Sequence, residues 1–255
     1  MSPPTLIAHR GYTLLYPENT QIAIEAAVHA GACCVEFDIQ LTADGVPVLL
    51  HDANLKRMAG IDPCIHELTL AQARAVSFGE AQRLGKTFEN VRIATLADIA
   101  RYLTTTPKTK AFVEIKRASL RRFGIERVMK AVFNDIANLA QQCVIISFDA
   151  DALRYTRTHS TLPIGWVFEP WSQDALGLAA ELCPDYLFTD YETLPDGISA
   201  LPQSPSTPWT WALYEVADPE TALRLAQLGA GLIETYAIGE MLRDPRLRAG
   251  ACLAP

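Results

Sequence analysis

The sequence has no excess of basic residues and no long apolar run. Its 29 acidic residues outnumber its 22 basic ones, and the formal net charge of −7 disfavours nucleic acid or an anionic membrane as the main partner. No apolar segment is long enough to cross a bilayer, and no signal peptide precedes the first strand-like segment. We therefore expect a cytoplasmic protein without a membrane span, and a small anionic substrate is compatible with its charge.

Paired cysteine motifs and glycine-rich phosphate loops are also missing. None of the six cysteines forms a C-x-x-C pair, and several lie in apolar runs: Cys33, Cys34, Cys64, Cys143, Cys183 and Cys252. We interpret them as reduced, mostly buried thiols, rather than as a zinc site or a disulfide framework. No G-x-G-x-x-G motif follows the first apolar segment, which disfavours a dinucleotide-binding open sheet.

The 255 residues do contain a regular alternation of short apolar segments with amphipathic helical segments. Near-continuous apolar runs are typical of parallel strands that are buried on both faces. Eight such strands, most followed by a helix, predict an α/β protein with a (β/α)8 TIM barrel; a doubly wound open sheet is the alternative and usually has fewer strands. The predicted strands are Leu6–His9, Cys34–Ile39, Ala111–Ile115, Cys143–Ser147, Ile164–Phe168, Tyr186–Thr189, Thr210–Tyr214 and Gly231–Thr235.

Three helix starts carry a capping signal. Asn19, Thr95 and Asp218 each stand where a helical segment begins, and their side chains can accept hydrogen bonds from the free amides of the first turn. Pro219 occupies the first position of the last of these helices, where proline is favoured. We therefore expect helices to begin at these three positions. For Asn19, a role in supporting the site residues from behind is an equally open alternative.

One region interrupts the alternation after the second strand. The turn signal Thr42-Ala43-Asp44-Gly45 leads into a return strand, Val46–Leu50, that ends at His51. Residues 53 to about 93 then form an excursion with a short helix of its own, Thr69–Val76. Roughly 40 residues are too few for an independent core, so we predict one domain over residues 1–255 with a small insertion.

Carboxylates stand at the predicted carboxyl ends of strands, where the active site of a β/α barrel lies. Glu36 and Asp38 are two residues apart in one strand, so both point to the same side. Glu114 lies near the end of the next barrel strand. Carboxylates buried together are costly without a counter-ion, and oxygen ligands suit hard cations, so the three predict a site for Mg²⁺ or Ca²⁺.

Imidazole and basic side chains accompany these carboxylates. His9 ends the first strand and His51 ends the return strand, so the two can share proton transfer as acid and base. Arg10 and Lys116 suit the oxygens of a phosphate, although an ion pair with a carboxylate is the alternative for Lys116. Together the residues predict acid–base chemistry at a metal-assisted site.

The order and spacing of the motifs resemble the glycerophosphodiester phosphodiesterase family, of the bacterial cytoplasmic type. The resemblance covers essentially the whole chain, and the excursion after His51 falls where that family carries its characteristic insertion. The matching segments are His9-Arg10-Gly11, Pro17-Glu18-Asn19-Thr20, Glu36 to Thr42 with Asp44-Gly45, His51-Asp52, Glu114-Ile115-Lys116, Ser147-Phe148-Asp149 and Trp209-Thr210-Trp211.

The resemblance implies a metal-dependent barrel that hydrolyses glycerophosphodiesters to glycerol 3-phosphate and an alcohol. It also implies roles for the residues: Glu36, Asp38 and Glu114 as ligands of one divalent metal ion, Arg10 and Lys116 as phosphate-binding residues, and His9 and His51 as the general acid–base pair. In the implied route, one histidine deprotonates the glycerol 2-hydroxyl, which attacks phosphorus, and the other protonates the departing alcohol. Water then opens the cyclic product with the roles reversed.

The chain departs from the family pattern at the rim of the predicted barrel. Glu234-Thr235-Tyr236-Ala237 stands where the family usually carries a Thr-Asp pair followed closely by Pro, and Trp209-Thr210-Trp211-Ala212 replaces Trp-Thr-Val-Asn. We interpret these changes as affecting the choice of alcohol more than the chemistry. We expect an aromatic wall that contacts the substrate, formed by Phe148 and Trp211 with Phe168 and Tyr236.

Two other functions stay open. A phospholipase D-type activity on lysophospholipid or sphingomyelin would need an apolar groove or a membrane-docking face. A catalytically silent barrel that binds phosphorylated ligands is supported only by the altered segment at Glu234. The remaining histidines, His29, His66 and His159, are assigned to helix or loop surfaces.

Overall fold

A computed structural model describes residues 3–203 and 208–248, and the strands in these residues close into a barrel. Eight of the strands described pair in parallel around a ring, which closes because the first strand bonds to both the second and the last. The predicted (β/α)8 barrel is therefore confirmed, and the open sheet is excluded. The strands are β1 (Thr5–Ala8), β2 (Cys34–Leu41), β3 (Pro47–Leu49), β4 (Lys110–Ile115), β5 (Cys143–Ser147), β6 (Ile164–Val167), β7 (Tyr186–Asp190), β8 (Thr210–Tyr214) and β9 (Ala230–Thr235).

Strand β3 lies outside the ring and is the return strand. It runs antiparallel to β2, with Leu49 opposite Ile39, as the turn signal at Asp44-Gly45 predicts. Because β3 runs back along β2, the chain that follows it starts the insertion beside the end of the second barrel strand.

Helices cover the outside of the barrel, and Thr95 and Asp218 cap them as predicted. The first helix is capped by Thr20 instead of Asn19, whose side chain is bonded to Asp38 in the barrel. None of the helices in the described residues is long and apolar enough to cross a bilayer. The helices are α1 (Gln21–His29), α2 (Lys56–Ala59), α3 (Leu70–Arg74), α4 (Ala81–Leu84), α5 (Leu96–Leu103), α6 (Arg117–Phe123), α7 (Ile125–Asp135), α8 (Ala150–His159), α9 (Gln173–Leu182), α10 (Pro219–Gln227), α11 (Ile238–Met241) and α12 (Pro245–Arg248).

Two apolar layers follow from the alternation of side chains along each strand. The inner layer fills the barrel with one set of residues, which includes Ile7, Phe112, Val144 and Phe188. The outer layer packs the other faces of the strands against the helices. A polar residue on the inner face of a strand, near the strand's carboxyl end, therefore points into the mouth of the barrel.

The insertion between β3 and α5 has a small apolar cluster of its own. Leu55, Met58, Ile65 and Phe78 pack together and against Val48 of the return strand. The insertion is thus anchored to the barrel through β3. The assignment of residues 1–255 to one domain stays a prediction.

The cysteines follow the sequence prediction only in part. Cys34 and Cys143 are buried thiols, and burial raises the pKa of Cys34 to about 11 and that of Cys143 to about 12. Cys33 is disulfide-bonded, so the expectation of a reduced thiol is wrong there; Cys252 lies outside the described residues. The predicted cytoplasmic location stays a prediction.

Candidate active site

A polar layer lies directly above the apolar interior of the barrel. Three of its carboxylates stand two residues after an inner-layer residue: Glu36 follows Cys34, Glu114 follows Phe112 and Glu234 follows Leu232. The layer opens into a cavity of about 240 Å³ at the carboxyl ends of the strands. The polar and aromatic residues that line it are His9, Arg10, His51, Glu114, Lys116, Phe148, Glu169, Phe188, Tyr214, Glu215 and Glu234.

The three predicted metal ligands converge at the floor of this layer. Glu36, Asp38 and Glu114 are buried, and each offers an oxygen within 4.8 Å of the other two. Glu36 Oε1 is buried without a hydrogen-bond partner among the described residues. An orphaned carboxylate oxygen beside two other buried carboxylates fits a hard divalent cation, because oxygen ligands are what such cations take.

The three carboxylates differ in pKa because their partners differ. Burial and the nearby Asp38 charge raise the pKa of Glu36 well above its ordinary value, and burial also raises that of Glu114. Burial acts on Asp38 in the same sense, but Lys116 and Arg10 outweigh it and hold its pKa below the ordinary value. Asp38 is therefore the ionised member of the group.

The two predicted phosphate-binding residues are found among the carboxylates. Arg10 Nε lies 3.1 Å from Asp38 Oδ2, and Lys116 Nζ lies 3.1 Å from Asp38 Oδ1. Lys116 Nζ also lies 2.7 Å from Glu114 Oε1. Burial would lower the pKa of both cations, but the carboxylates outweigh it and raise both values. Both side chains stay charged and line the cavity.

His9 stands at the end of β1 between two carboxylates. Its Nδ1 donates to Glu215 Oε1 at 2.7 Å, which leaves Nε2 facing Glu36 Oε2 at 3.9 Å. Burial would lower the pKa of His9, but Glu234 and the hydrogen bond to Glu215 outweigh it and raise the value. His9 is therefore held in one orientation, with Nε2 available to the site.

His51 lies in a different electrostatic environment from His9. Its Nδ1 is 2.8 Å from Asp52 Oδ1. Burial, together with Arg10 and Lys116, lowers the pKa of His51 against the opposing effect of Asp38. In this cation-free arrangement the two imidazoles therefore differ in their affinity for a proton.

A chain of ion pairs connects His51 to Arg10 through the insertion. Arg57, in α2, donates through Nε to Asp52 at 2.8 Å and through its two terminal nitrogens to Glu18 at 2.6 and 2.8 Å. Glu18 in turn lies 3.3 Å from Arg10 Nη1. Sequence reasoning missed Arg57; the neighbouring motifs His51-Asp52 and Pro17-Glu18 were the signals available. The insertion thus contributes a residue that joins two site residues.

Two further side chains correct the sequence prediction. Asn19 has a φ of 53° and bonds Asp38 twice, with its amide nitrogen 2.7 Å from Oδ2 and its carbonyl oxygen 2.9 Å from the backbone nitrogen. His66 is buried, not on a surface, and its Nε2 lies 3.0 Å from Gln40 Oε1. Gln40 donates to the carbonyl oxygen of His51 at 2.9 Å. Both residues therefore hold the site in place.

Phe148 and Trp211 are separated by the barrel wall. Phe148 lines the cavity, with Lys116 Nζ 6.0 Å from its ring centre. Trp211 is fully buried in the outer layer, where its ring lies 5.4 Å from that of Trp171. The neighbouring Ala212 belongs to the inner layer, so alternation turns Trp211 outward. This contradicts the expected contact of Trp211 with substrate.

The other two residues of the expected aromatic wall are also apart. Phe168 packs in the outer layer. Tyr236 lines a separate groove beside Leu14 and Arg83, which shares His9 and Arg10 with the main cavity. The predicted wall is therefore reduced to Phe148 in the cavity itself.

Glu215 and Glu234 are two further site residues that sequence reasoning did not assign. Glu234 follows the inner-layer residue Leu232 by two positions, so it lies on the same inner face of β9. It pairs with Ile7 of β1 in the closed ring. Burial raises its pKa to about 7, against the opposing effect of His9. The position of Glu234 in the alternation is a signal that the sequence carries. Glu215 follows β8, which β9 separates from β1 in the ring, so the hydrogen bond that it accepts from His9 depends on closure of the barrel.

Comparison with known proteins identifies the family. Residues 9–194 match the model of the glycerophosphoryl diester phosphodiesterase family. The chain belongs to this family. "Glycerophosphodiester phosphodiesterase 1" of Bos taurus is 30% identical over 172 residues, which cover 67% of this chain and 51% of that protein. The chain thus spans about half the length of this relative.

Two bacterial proteins match more of the chain. "Glycerophosphodiester phosphodiesterase" of Caldanaerobacter subterraneus is 27% identical over 226 residues, or 86% of this chain and 89% of that protein. An Oleispira antarctica phosphodiesterase, solved in complex with the product sn-glycerol-3-phosphate, has a TM-score of 0.81 at 20% identity over 94% of this chain and 96% of its own. At that identity the likeness concerns the fold.

Proposed function

We propose that the protein is a metal-dependent glycerophosphodiester phosphodiesterase that releases glycerol 3-phosphate and an alcohol. The observation that carries this proposal is the convergence of two histidines, an arginine, a lysine and Glu114 on one cavity of about 240 Å³, with Glu36 and Asp38 buried within 4.8 Å of Glu114. Family membership supports it, as do the name of the Caldanaerobacter relative and the product bound to the Oleispira phosphodiesterase.

The metal site in this proposal consists of Glu36, Asp38 and Glu114. A divalent cation held there supplies positive charge against the charge that grows on the phosphoryl oxygens. Arg10 and Lys116 bind the phosphate. Both contact Asp38 in the absence of a cation, so Asp38 holds them at the edge of the cavity where a phosphate would enter.

Proton transfer is the role of the two histidines. One takes the proton of the glycerol 2-hydroxyl as it attacks phosphorus, and the other gives a proton to the departing alcohol oxygen. Water then opens the cyclic phosphate while the two exchange roles. Glu215 and Asp52 support this function because each accepts a hydrogen bond from Nδ1 of one histidine and thereby fixes its orientation.

Lysophospholipids are a second candidate substrate class, and one observation favours them. Leu14 and Leu15, which are 39% and 49% exposed, lie on the loop after β1. Leu14 lines the groove that continues from His9 and Arg10 to Tyr236. An acyl chain on the glycerol would find an apolar contact there, which a short head-group diester does not need.

The test is hydrolysis of glycerophosphocholine, glycerophosphoethanolamine and glycerophosphoglycerol with Mg²⁺ or Ca²⁺, and of lysophosphatidylcholine in parallel. We expect turnover of at least one water-soluble diester that stops with chelator and returns with metal. Turnover of lysophosphatidylcholine alone would favour the second candidate. Chelator-resistant turnover would contradict the metal-dependent mechanism.

A further inference from the structure

Glu234 is a buried acid that the proposed mechanism does not use. It is 4% exposed, and its Oε1 has no hydrogen-bond partner among the described residues. It belongs to the segment Glu234-Thr235-Tyr236, where the chain departs from the family pattern. A buried carboxylate without a partner is costly, so this position calls for a proton or a cation.

Glu234 forms a second group of potential metal ligands with His9 and Glu36. One nitrogen of His9 and one oxygen of each carboxylate all lie within 4.8 Å of one another. His9 Nε2 is 3.9 Å from Glu36 Oε2. Two ligands about 2.0–2.1 Å from one ion can stand up to roughly 4 Å apart, so this pair already has a usable spacing.

The environment of His9 prepares its Nε2 for a metal ion. Glu215 accepts a hydrogen bond from Nδ1 at 2.7 Å, which keeps a proton on Nδ1, so the neutral imidazole carries its lone pair on Nε2. A carboxylate behind an imidazole is the usual support of histidine ligands in metal sites. Glu36 Oε1 and Glu234 Oε1, which have no hydrogen-bond partner among the described residues, are the natural co-ligands of this nitrogen.

We propose that His9, Glu36 and Glu234 form a second divalent-cation site, which shares Glu36 with the Glu36–Asp38–Glu114 site and inhibits the enzyme when filled. Its nitrogen ligand selects Zn²⁺ or Mn²⁺ over Mg²⁺, whereas the all-oxygen site suits Mg²⁺ or Ca²⁺. A cation on Nε2 occupies the lone pair that His9 needs for proton transfer. The inhibition rests on the proposed function, but the binding does not.

The binding test counts ions in chelator-treated protein by calorimetric titration with Zn²⁺ and by electron paramagnetic resonance with Mn²⁺. We expect Glu234→Gln to lose one ion relative to the wild type, and Glu114→Gln to lose the other. Glu169→Gln is the matched control, because Glu169 lines the same cavity outside both groups and should keep the wild-type number. Melting curves recorded in chelator check that each variant is folded.

The inhibition test adds Zn²⁺ at saturating Mg²⁺ and measures each variant relative to its own activity without Zn²⁺. Glu234→Gln should raise the half-inhibitory Zn²⁺ concentration at least about 10-fold, since even indirect ligand supports contribute 10- to 100-fold to metal affinity. A Glu234→Gln variant that binds as many ions as the wild type would overturn the site. Loss of one ion in that variant, with no diester hydrolysed by any form, would support the site and count against the proposed function alone.

Discussion

The two sides of the cavity bury similar acids in opposite electrostatic environments. Asp38, on the side of β2 and β4, contacts both Arg10 and Lys116, and its pKa lies below the ordinary value. Glu234, on the side of β9, has an orphaned oxygen, and burial raises its pKa to about 7. Their exposed fractions are 1% and 4%, so partners and not burial make the difference. On the first side, called the paired side below, the buried charge has its own cationic partners; on the second, the unpaired side, the buried acid calls for a proton or a cation.

The largest expected effect is on catalysis, at the paired side. His51→Ala should lower kcat on the preferred diester by about 10²- to 10⁴-fold, the usual contribution of a positioned acid or base. His159→Ala is the control, because His159 is exposed on α8 and should leave kcat unchanged. Steady-state kinetics with saturating Mg²⁺ measure both. A kcat of His51→Ala within threefold of the wild type would remove His51 from the mechanism.

The next prediction compares substitutions of Asp38 and Glu234 by their effect on the free energy of unfolding. Asp38→Asn should lower the free energy of unfolding by about 3 kcal/mol, because it removes the shared partner of two buried cations. Arg10 and Lys116 keep Glu18 and Glu114, which holds the loss at the low end of the usual range. Urea unfolding in chelator measures it. Glu234→Gln at pH 8 should be neutral or stabilising, and an equal loss in both variants would break the comparison.

The unpaired side also predicts a dependence of stability on pH in the absence of metal. Glu234 has a pKa of about 7 in the folded state and an ordinary value of 4.5, so between these values the folded chain binds a proton that the unfolded chain releases. Stability therefore falls as the pH rises from about 4.5 to 7, by up to about 3 kcal/mol. Glu234→Gln should lack this contribution. Parallel pH profiles of wild type and variant would contradict the account.

A smaller effect, on kcat/KM, is expected for Arg57, the residue of the insertion that supports the paired side. Arg57→Ala frees Asp52 and Glu18, so His51 and Arg10 lose their common support, and kcat/KM should fall about 10- to 100-fold. Arg74→Ala is the matched control, because Arg74 also lies in the insertion but pairs with Asp98 of α5. Arg57→Lys should restore little, since a lysine cannot make the two-pronged contact with Glu18. Equal kinetics for the two alanine variants would show that the ion-pair chain is only structural.

The sequence predicts the paired side better than the unpaired one. Glu36 and Asp38 share a strand, so alternation alone brings them together, and strand order places Glu114 on the neighbouring β4. The meeting of Glu234 with His9 depends on closure of the ring between β9 and β1, far apart in the chain. Sequence patterns within a single segment do not predict that pairing of distant strands.

Two residues take places that a local pattern alone does not decide. Asn19 carries the signature of a helix cap, but of its two open roles it takes the supporting one: its side chain bonds Asp38, and Thr20 caps the helix. Trp211 is expected in the cavity because the chain departs from the family pattern there, whereas its place in the alternation turns it outward. Arg57 had no signal of its own, because the path of the insertion follows no regular period.

The most direct test of the central claim is a crystal structure of the protein grown with saturating Mg²⁺ or Ca²⁺ and glycerol 3-phosphate. We expect one ion bound by Glu36, Asp38 and Glu114, at about 2.0–2.1 Å for Mg²⁺ or about 2.3–2.6 Å for Ca²⁺, with Arg10 and Lys116 on the phosphate. If Asp38 keeps both cations as its partners and no ion contacts the three carboxylates at saturating metal, the proposed centre is wrong.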